Sequence, residues 1–301
     1  MFSKFIRLFV SVLMVFSTTL PHSFGLPAIP KGQQIDMDKF ELVWSDEFDG
    51  DFLDRSKWQY NWWELERKGG YWHEDMVDVR DGNLVITTQY YENPLPVPNA
   101  YKGYFEKHPT DKAYGEGWYT GVVETRGKFE QCYGYFECRA ILPASTGMWS
   151  AFWMMNEGVY KVDGSGKDGT EVDIFESMYY KDNNFGFGDA VVSGIHYDGY
   201  GEDHKGDSIG KWFCNNPYKE YNTYGLEWNE NEYIFYINGV ETGRLSTGGV
   251  SQNPEYLILS CEVAGENGVA NADRHGTGKM SMKPGDKAEF IVDYVRVYQY
   301  K

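Results

Sequence analysis

The chain has 301 residues, 42% of them apolar, enough for one large domain or two small ones and too many for a mainly disordered protein. Its formal net charge is −17, from Asp+Glu 45 against Lys+Arg 28. A nucleic-acid partner needs a basic face to neutralise phosphates, no such run is present, and the summed field would repel an anionic polymer, so a neutral partner is the easier one.

The N-terminus carries Lys4 and Arg7, an apolar stretch from Leu8 to Leu20, and Ser23-Phe24-Gly25, which sets small residues around a cleavage site after Gly25. This is the pattern of a secretory signal peptide over residues 1–25, too short for a membrane span of about 20 apolar residues. A secreted, extracellular protein without membrane association is expected. Residues 26–39 read as an N-terminal linker and 40–301 as one domain.

From residue 40 onward, short runs with period-two alternation are separated by Gly, Asp, Asn and Pro. Residues 83–88, 133–142, 233–237 and 289–298 have strand length and β-branched or aromatic content. Asp81-Gly82 and Asn238-Gly239 are hairpin turns. Residues 92–118 and 157–170, rich in Gly with Pro and Tyr in the first, read as long loops at the rim of a binding cleft. Aromatic residues make up 17% of the chain, more than a β-rich core requires, so some are expected to stack on sugar rings. Many short strands without a repeat predict an all-β sandwich. Of the four cysteines, Cys132 and Cys138 share one strand and lie about 20 Å apart if extended, too far to pair. Disulfides and free buried thiols both remain open.

The chemistry concentrates in Glu171-Val172-Asp173-Ile174-Phe175-Glu176. In a strand, Glu171 and Asp173 point one way and Val172 and Ile174 the other. Strict alternation would send Glu176 into the core, where a lone carboxylate is costly. A one-residue β-bulge between Asp173 and Glu176 brings all three acids to one face. The two longer Glu arms can then lean together over Asp173, toward the ~5 Å separation a retaining glycosidase needs. Crowded carboxylates raise one another's pKa, which keeps one protonated as a general acid requires. A calcium site or a solvated acidic strand face would use the same spacing.

The neighbouring segments narrow this. Glu171–Glu176 resembles the signature of glycoside hydrolase family 16 in its longer, bulged form. Tyr133-Gly134-Tyr135-Phe136-Glu137-Cys138-Arg139-Ala140 with Leu142-Pro143, and Gly147-Met148-Trp149-Ser150-Ala151-Phe152-Trp153-Met154, resemble two further strands of that family. Trp44-Ser45-Asp46-Glu47-Phe48 with Trp58, Tyr224-Gly225-Leu226-Glu227-Trp228, and Asp293-Tyr294-Val295-Arg296-Val297-Tyr298 complete six matches in family order across about residues 40–300. Ser150 stands where the family commonly has proline.

The resemblance implies a concanavalin-like β-jelly-roll sandwich with a substrate cleft across the concave sheet. It implies Glu171 as nucleophile, Glu176 as general acid/base and Asp173 as the assisting residue. Trp149 and Trp153, four apart and so on one strand face, would line the cleft; His196 would contact sugar on the leaving-group side, and Trp72 would stack on the glycone side. The chemistry requires no cofactor. Many members carry a structural calcium, for which Glu47 and Asp293 are the candidate ligands. The expected activity is retaining endo-hydrolysis of a neutral polysaccharide by a monomer, foremost a β-1,3- or β-1,3/1,4-glucan. The alternatives are an endo-β-galactosidase or galactanase, a transglycosylase, and a non-catalytic lectin-like module. Residues 92–118 and 197–216 do not match the β-glucanase members, and specificity resides in such loops.

Overall fold

Two sheets face each other across one apolar layer in the computed structural model, which describes residues 27–60, 65–108, 113–178, 180, 188–270 and 280–301. The expected signal peptide lies outside the described residues. The sheet that carries the acids runs, in spatial order, Lys205–Phe213, Ala190–Tyr197, Glu171–Ser177, Met148–Met155, Glu255–Val263, Val122–Glu124 and Gln59–Tyr60, with Glu130–Gln131 also on Glu255–Val263. The opposing sheet is built around Asn222–Trp228, Gly134–Ile141, Lys287–Tyr300 and Asn83–Tyr91. Strands far apart in sequence lie side by side, as Met148–Met155 beside Glu255–Val263, so the chain crosses repeatedly between layers in the manner of a jelly roll.

Alternation explains the layers. Along Met148–Met155, Met148, Phe152 and Met154 enter the core, while Trp149, Ala151, Trp153 and Met155 stand on the outer face. From the other sheet, Phe136, Leu226, Phe235, Phe290 and Val295 meet them, all essentially without exposure. Each such side chain removed from water contributes roughly 1.5–3 kcal/mol. Both hairpin turns form as read: Asp81 and Gly82 have φ 51° and 71°, Asn238 and Gly239 51° and 73°, the left-handed pair that matches strand twist.

Two expectations change, and the question left open for the cysteines is answered. The stretch 26–39 is not a free linker from residue 27 on. The Ala28 N–H donates to the Lys211 carbonyl at 2.9 Å, Phe213 N–H to the Ala28 carbonyl at 2.8 Å, and Ile35 N–H to the Gly239 carbonyl at 2.9 Å. Lys205–Phe213 and Val240–Leu245 are the edge strands of their two sheets, and this segment satisfies their otherwise open backbone groups. Within 92–118, a helix forms over Asn99–Lys107, directly after the last of Pro94, Pro96 and Pro98. Tyr114 from the same stretch packs with Tyr71, Met76 and Tyr119, and none of the described residues of 92–118 lines the cleft described below. All four cysteines are free thiols, Cys138 and Cys261 within the core.

Phe175 ties the acidic strand to the opposite sheet, its ring centroid 4.1 Å from that of Tyr224 and 6.1 Å from that of Phe290. Truncation at this fully buried position leaves a cavity, so Phe175→Ala should lose about 3–5 kcal/mol of unfolding free energy, measured by urea denaturation at constant m-value.

Candidate active site

The strand Glu171–Ser177 lies between Met148–Met155 and Ala190–Tyr197, at the middle of its sheet. Its register against both neighbours slips between Asp173 and Glu176. Phe152 faces Phe175 while the adjacent Trp153 faces Asp173, leaving Ile174 as the extra residue of a bulge. Val172, Ile174 and Phe175 are all buried in the core, and Glu171, Asp173 and Glu176 all reach the outer face. The cost of sending Glu176 inward is thereby avoided.

These acids form the floor of a cleft of ≈ 690 Å³. Trp149, Ala151, Trp153 and Met155 continue the floor on one side and His196 on the other. Ser260 and Glu262 come from the strand beyond, Arg67 and Lys68 from a turn, and Tyr160, Tyr200 and His204 from loops. Trp149 Nε1 donates to Glu176 Oε1 at 2.7 Å, and Trp153 Nε1 to Ser260 Oγ at 3.0 Å. Tyr200 donates its hydroxyl proton to Glu171 Oε2. His196 Nε2 lies 3.3 Å from Asp173 Oδ2.

Burial raises both glutamates and the Asp173 charge raises them further. Glu171 is pushed up to about 7, with the Tyr200 hydrogen bond, His196 and Arg67 opposing the rise. Glu176 is pushed well above the usual carboxylate range; the Trp149 donor only moderates it. The cations and the phenol thus favour charge on Glu171, while the proton belongs on Glu176. Burial pulls His196 down, but its hydrogen bond to Asp173 and the charges of Asp173, Glu171 and Glu176 prevail and hold it at about 9.

Ligand-type atoms of Glu171, Asp173 and His196 lie within 4.8 Å of one another. His196 faces Asp173 and Tyr200 donates to Glu171, so the trio is engaged in a hydrogen-bonded cluster. The expected calcium ligands do not come together. Glu47 holds Arg296 through both oxygens, at 3.0 and 2.8 Å, and Asp293 holds Arg139. Each carboxylate is neutralised by its own guanidinium, and neither belongs to any metal-capable group among the described residues. The residues present do not fit a shared calcium site.

Of the expected sugar contacts, Trp149, Trp153 and His196 line the cleft and Trp72 does not. Trp72 is 2% exposed, donates Nε1 to the Cys261 carbonyl at 2.9 Å and lies under the Arg67 guanidinium, 5.2 Å from its ring centroid. Its short strand is paired along Gly117–Thr120 in the opposing sheet, which sets the indole behind the cleft wall. Of the two expected rim loops, 157–170 supplies Tyr160.

Sequence reasoning missed Arg67, Lys68, Tyr160, Tyr200, His204, Ser260 and Glu262. Ser260 and Glu262 carried a readable signal: polar residues two apart in the apolar run 256–263 mark one exposed strand face. It also missed a support behind the site. Buried Glu255 Oε1 accepts both the backbone N–H and the hydroxyl of Thr170, each at 3.1 Å, immediately before Glu171. Burial raises Glu255 to about 8.

Comparison with known proteins follows the same outline. A family model described as β-porphyranase A–D, GH16 domain, matches residues 40–300. The glucan endo-1,3-β-glucosidase A1 of Niallia circulans is 29% identical over 292 residues, covering 86% of this chain and 38% of its own. β-Porphyranase B of Zobellia galactanivorans is 31% identical over 237 residues, 75% of this chain and 74% of its own. The structure of an endo-β-1,3-glucanase from Pyrococcus furiosus superposes with a TM-score of 0.67 at 21% identity, over 91% of this chain and 99% of that one, which shows the fold. The chain spans about a third to just over half the length of the first curated relatives it matches.

His196 carries a pH-dependent share of stability. Its folded pKa of about 9 exceeds the ordinary 6.5, so that share is full below 6.5 and is lost as pH rises through 9. His196→Gln should flatten the fall in unfolding free energy across that window by on the order of 1–3 kcal/mol, solvent screening the ring's exposed edge. Denaturant midpoints at pH 6 and 9.5 measure it.

Proposed function

The chain belongs to glycoside hydrolase family 16, and on that premise we propose that it is a retaining endo-acting glycoside hydrolase, secreted and monomeric, that cleaves internal β-glycosidic bonds of a polysaccharide. The observation that carries this reading is the bulge that sets Glu171, Asp173 and Glu176 in a row on the floor of an open cleft.

The reaction is a double displacement. The Glu171 carboxylate attacks the anomeric carbon as Glu176 gives its proton to the departing glycosidic oxygen, leaving a glycosyl ester on Glu171. Glu176, now a carboxylate, takes a proton from water; the resulting hydroxyl group bonds to the anomeric carbon and the Glu171 ester is released. Asp173 sits between the two and is partnered by His196, which keeps a counter-cation beside the row while charge moves along it. Trp149 holds Glu176 at one oxygen, and its ring with that of Trp153 offers flat faces to the pyranose rings. An open cleft accepts the middle of a chain.

For the substrate, a β-1,3- or mixed β-1,3/1,4-glucan is the first reading, supported by the endo-β-glucanase relatives. A galactan is the second, favoured by a specific observation. The matching family model is that of β-porphyranases, and Arg67 and Lys68 place cations on the cleft wall of an otherwise acidic protein.

Reducing-end release from laminarin, lichenan, agarose and porphyran separates the two. Glu171→Gln should lose at least about a thousandfold in turnover while still binding the chain, whereas a lectin-like module would be indifferent to the change. Glu176→Ala should recover turnover of an activated aryl glycoside with added azide; no recovery would reject the acid/base role.

The pH profile follows from the raised carboxyls. The acidic limb of kcat/KM, where Glu171 takes up a proton, should lie well above the ordinary 4.5, near 7, with activity falling again at the higher pH where Glu176 gives its proton up. An acidic limb at the ordinary carboxylate value would contradict the desolvated floor.

A further inference from the structure

The segment that follows the strand Ala190–Tyr197 folds back over the acids and is fastened there. Buried Asp198 accepts the backbone N–H groups of Asp163 and Gly164 at 3.1 and 3.0 Å and the Lys205 ammonium at 2.5 Å. Gly199 N–H donates to the Val159 carbonyl at 2.7 Å. The ring of Tyr200 stands edge-on to Tyr160, with centroids 5.6 Å apart. From that footing its hydroxyl reaches Glu171 Oε2.

The same ring stacks on His204 at 6.1 Å and 22°, and His204 stacks on His196 at 5.0 Å and 24°. His204 Nε2 lies 2.9 Å from His196 Nδ1, and His196 Nε2 faces Asp173. The contacts close a ring that starts on Glu171 and returns to the same strand at Asp173. With His196 held cationic by the acids and His204 shifted toward its neutral form, the contact fits His196 donating from both nitrogens and His204 accepting through Nε2.

We propose that Tyr200 is the positioning residue of the nucleophile, its hydroxyl holding Glu171 Oε2 so that Oε1 is left to attack the anomeric carbon, with the His204–His196 contact holding Tyr200 in place. This rests on Glu171 being the nucleophile. The bond formed is then C1–Oε1 and the bond broken is C1 to the departing oxygen, which receives its proton from Glu176. Tyr200 keeps its own proton throughout, because burial and the Glu171 charge raise its pKa beyond the ordinary 10. In the glycosyl ester, Oε2 is the carbonyl oxygen, and the same donor polarises it for departure in the second step.

Every other side chain acting on Glu171 is an acid or a base. Asp173 and Glu176 on its own strand and Glu255 on a further strand are acids, while His196 and Arg67 are cations. Tyr200 is the neutral donor among them, so it can be removed without changing the charge of the site. Its ring contacts with Tyr160 and His204 survive in Tyr200→Phe.

The test is the Glu171 titration, followed by NMR of ¹³C-carboxyl-labelled glutamate and assigned by its disappearance in Glu171→Gln, alongside kcat/KM against pH. Tyr200→Phe loses a hydrogen bond to the charged form, so the Glu171 pKa and the acidic limb should both move up by about one unit, with a tenfold lower kcat/KM below the limb. His204→Phe keeps a ring in the stack but loses the nitrogen, and should move both in the same direction by a smaller amount. An unmoved titration in Tyr200→Phe would overturn the assignment. So would an unmoved titration with a lower KM, which would make the hydroxyl a stand-in that a sugar displaces. Absence of turnover in the wild type on all four polysaccharides would count against the hydrolase reading instead, and the titration would still report on the Tyr200–Glu171 bond.

Discussion

A strand repeats every two residues, and this site needs six consecutive residues to obey two masters. Three acids must share the wet face while Val172, Ile174 and Phe175 all stay in the core. Without an extra residue, either Glu176 enters an apolar layer or Phe175 leaves it, and each alternative costs several kcal/mol. The bulge at Ile174 resolves the conflict locally because both neighbouring strands tolerate the slip. Much of the sheet can be understood from that point. The strand is paired along both edges, and its partners supply Trp149 and Trp153 from one side and His196 from the other.

Bringing three carboxylates together in a partly desolvated cleft is unfavourable, and the surrounding groups divide the burden unequally. Glu171 has a phenol and two cations acting on it, Glu176 an indole donor and the distant His196 charge. That asymmetry, rather than any difference between two glutamates as such, is what separates the proposed nucleophile from the proposed acid. Beneath them, neutral Glu255 fixes the backbone of Thr170, so the first acid of the row is held from behind as well as from above. The global charge of −17 coexists with this because many acids elsewhere are solvated or paired, as Glu47 is with Arg296 and Asp293 with Arg139.

What was legible in the sequence was whatever depends on short-range periodicity. The two type I′ turns, the alternation along Met148–Met155 and the need for a bulge each follow from a few adjacent residues, and each forms as read. What escaped depends on contacts between distant segments. Trp72 looks like a sugar platform, yet the indole is buried beneath Arg67 with its N–H on the Cys261 carbonyl. Glu47 and Asp293 look like cation ligands until Arg296 and Arg139 arrive from other strands. The segment after residue 26 reads as polar spacer, but two open sheet edges make it a strap, and no local pattern announces an edge.

The division between strands and loops also explains why the reaction is better determined than the sugar. The proposed reacting groups stand on hydrogen-bonded strands, whose spacing is fixed by the backbone ladder. The groups that would meet substituents on the sugar ring, Arg67, Lys68, Tyr160, Tyr200 and His204, stand in turns and loops or at the ends of short elements, each held by a few side-chain contacts. Such contacts can be exchanged one at a time without disturbing the bulge. A chain that keeps Glu171, Asp173 and Glu176 therefore retains the same bond-breaking chemistry while its walls change. Lys68 over the Trp149 ring, 4.6 Å from the centroid, shows how closely the two regimes meet: the indole that holds Glu176 is also one face of the cleft wall.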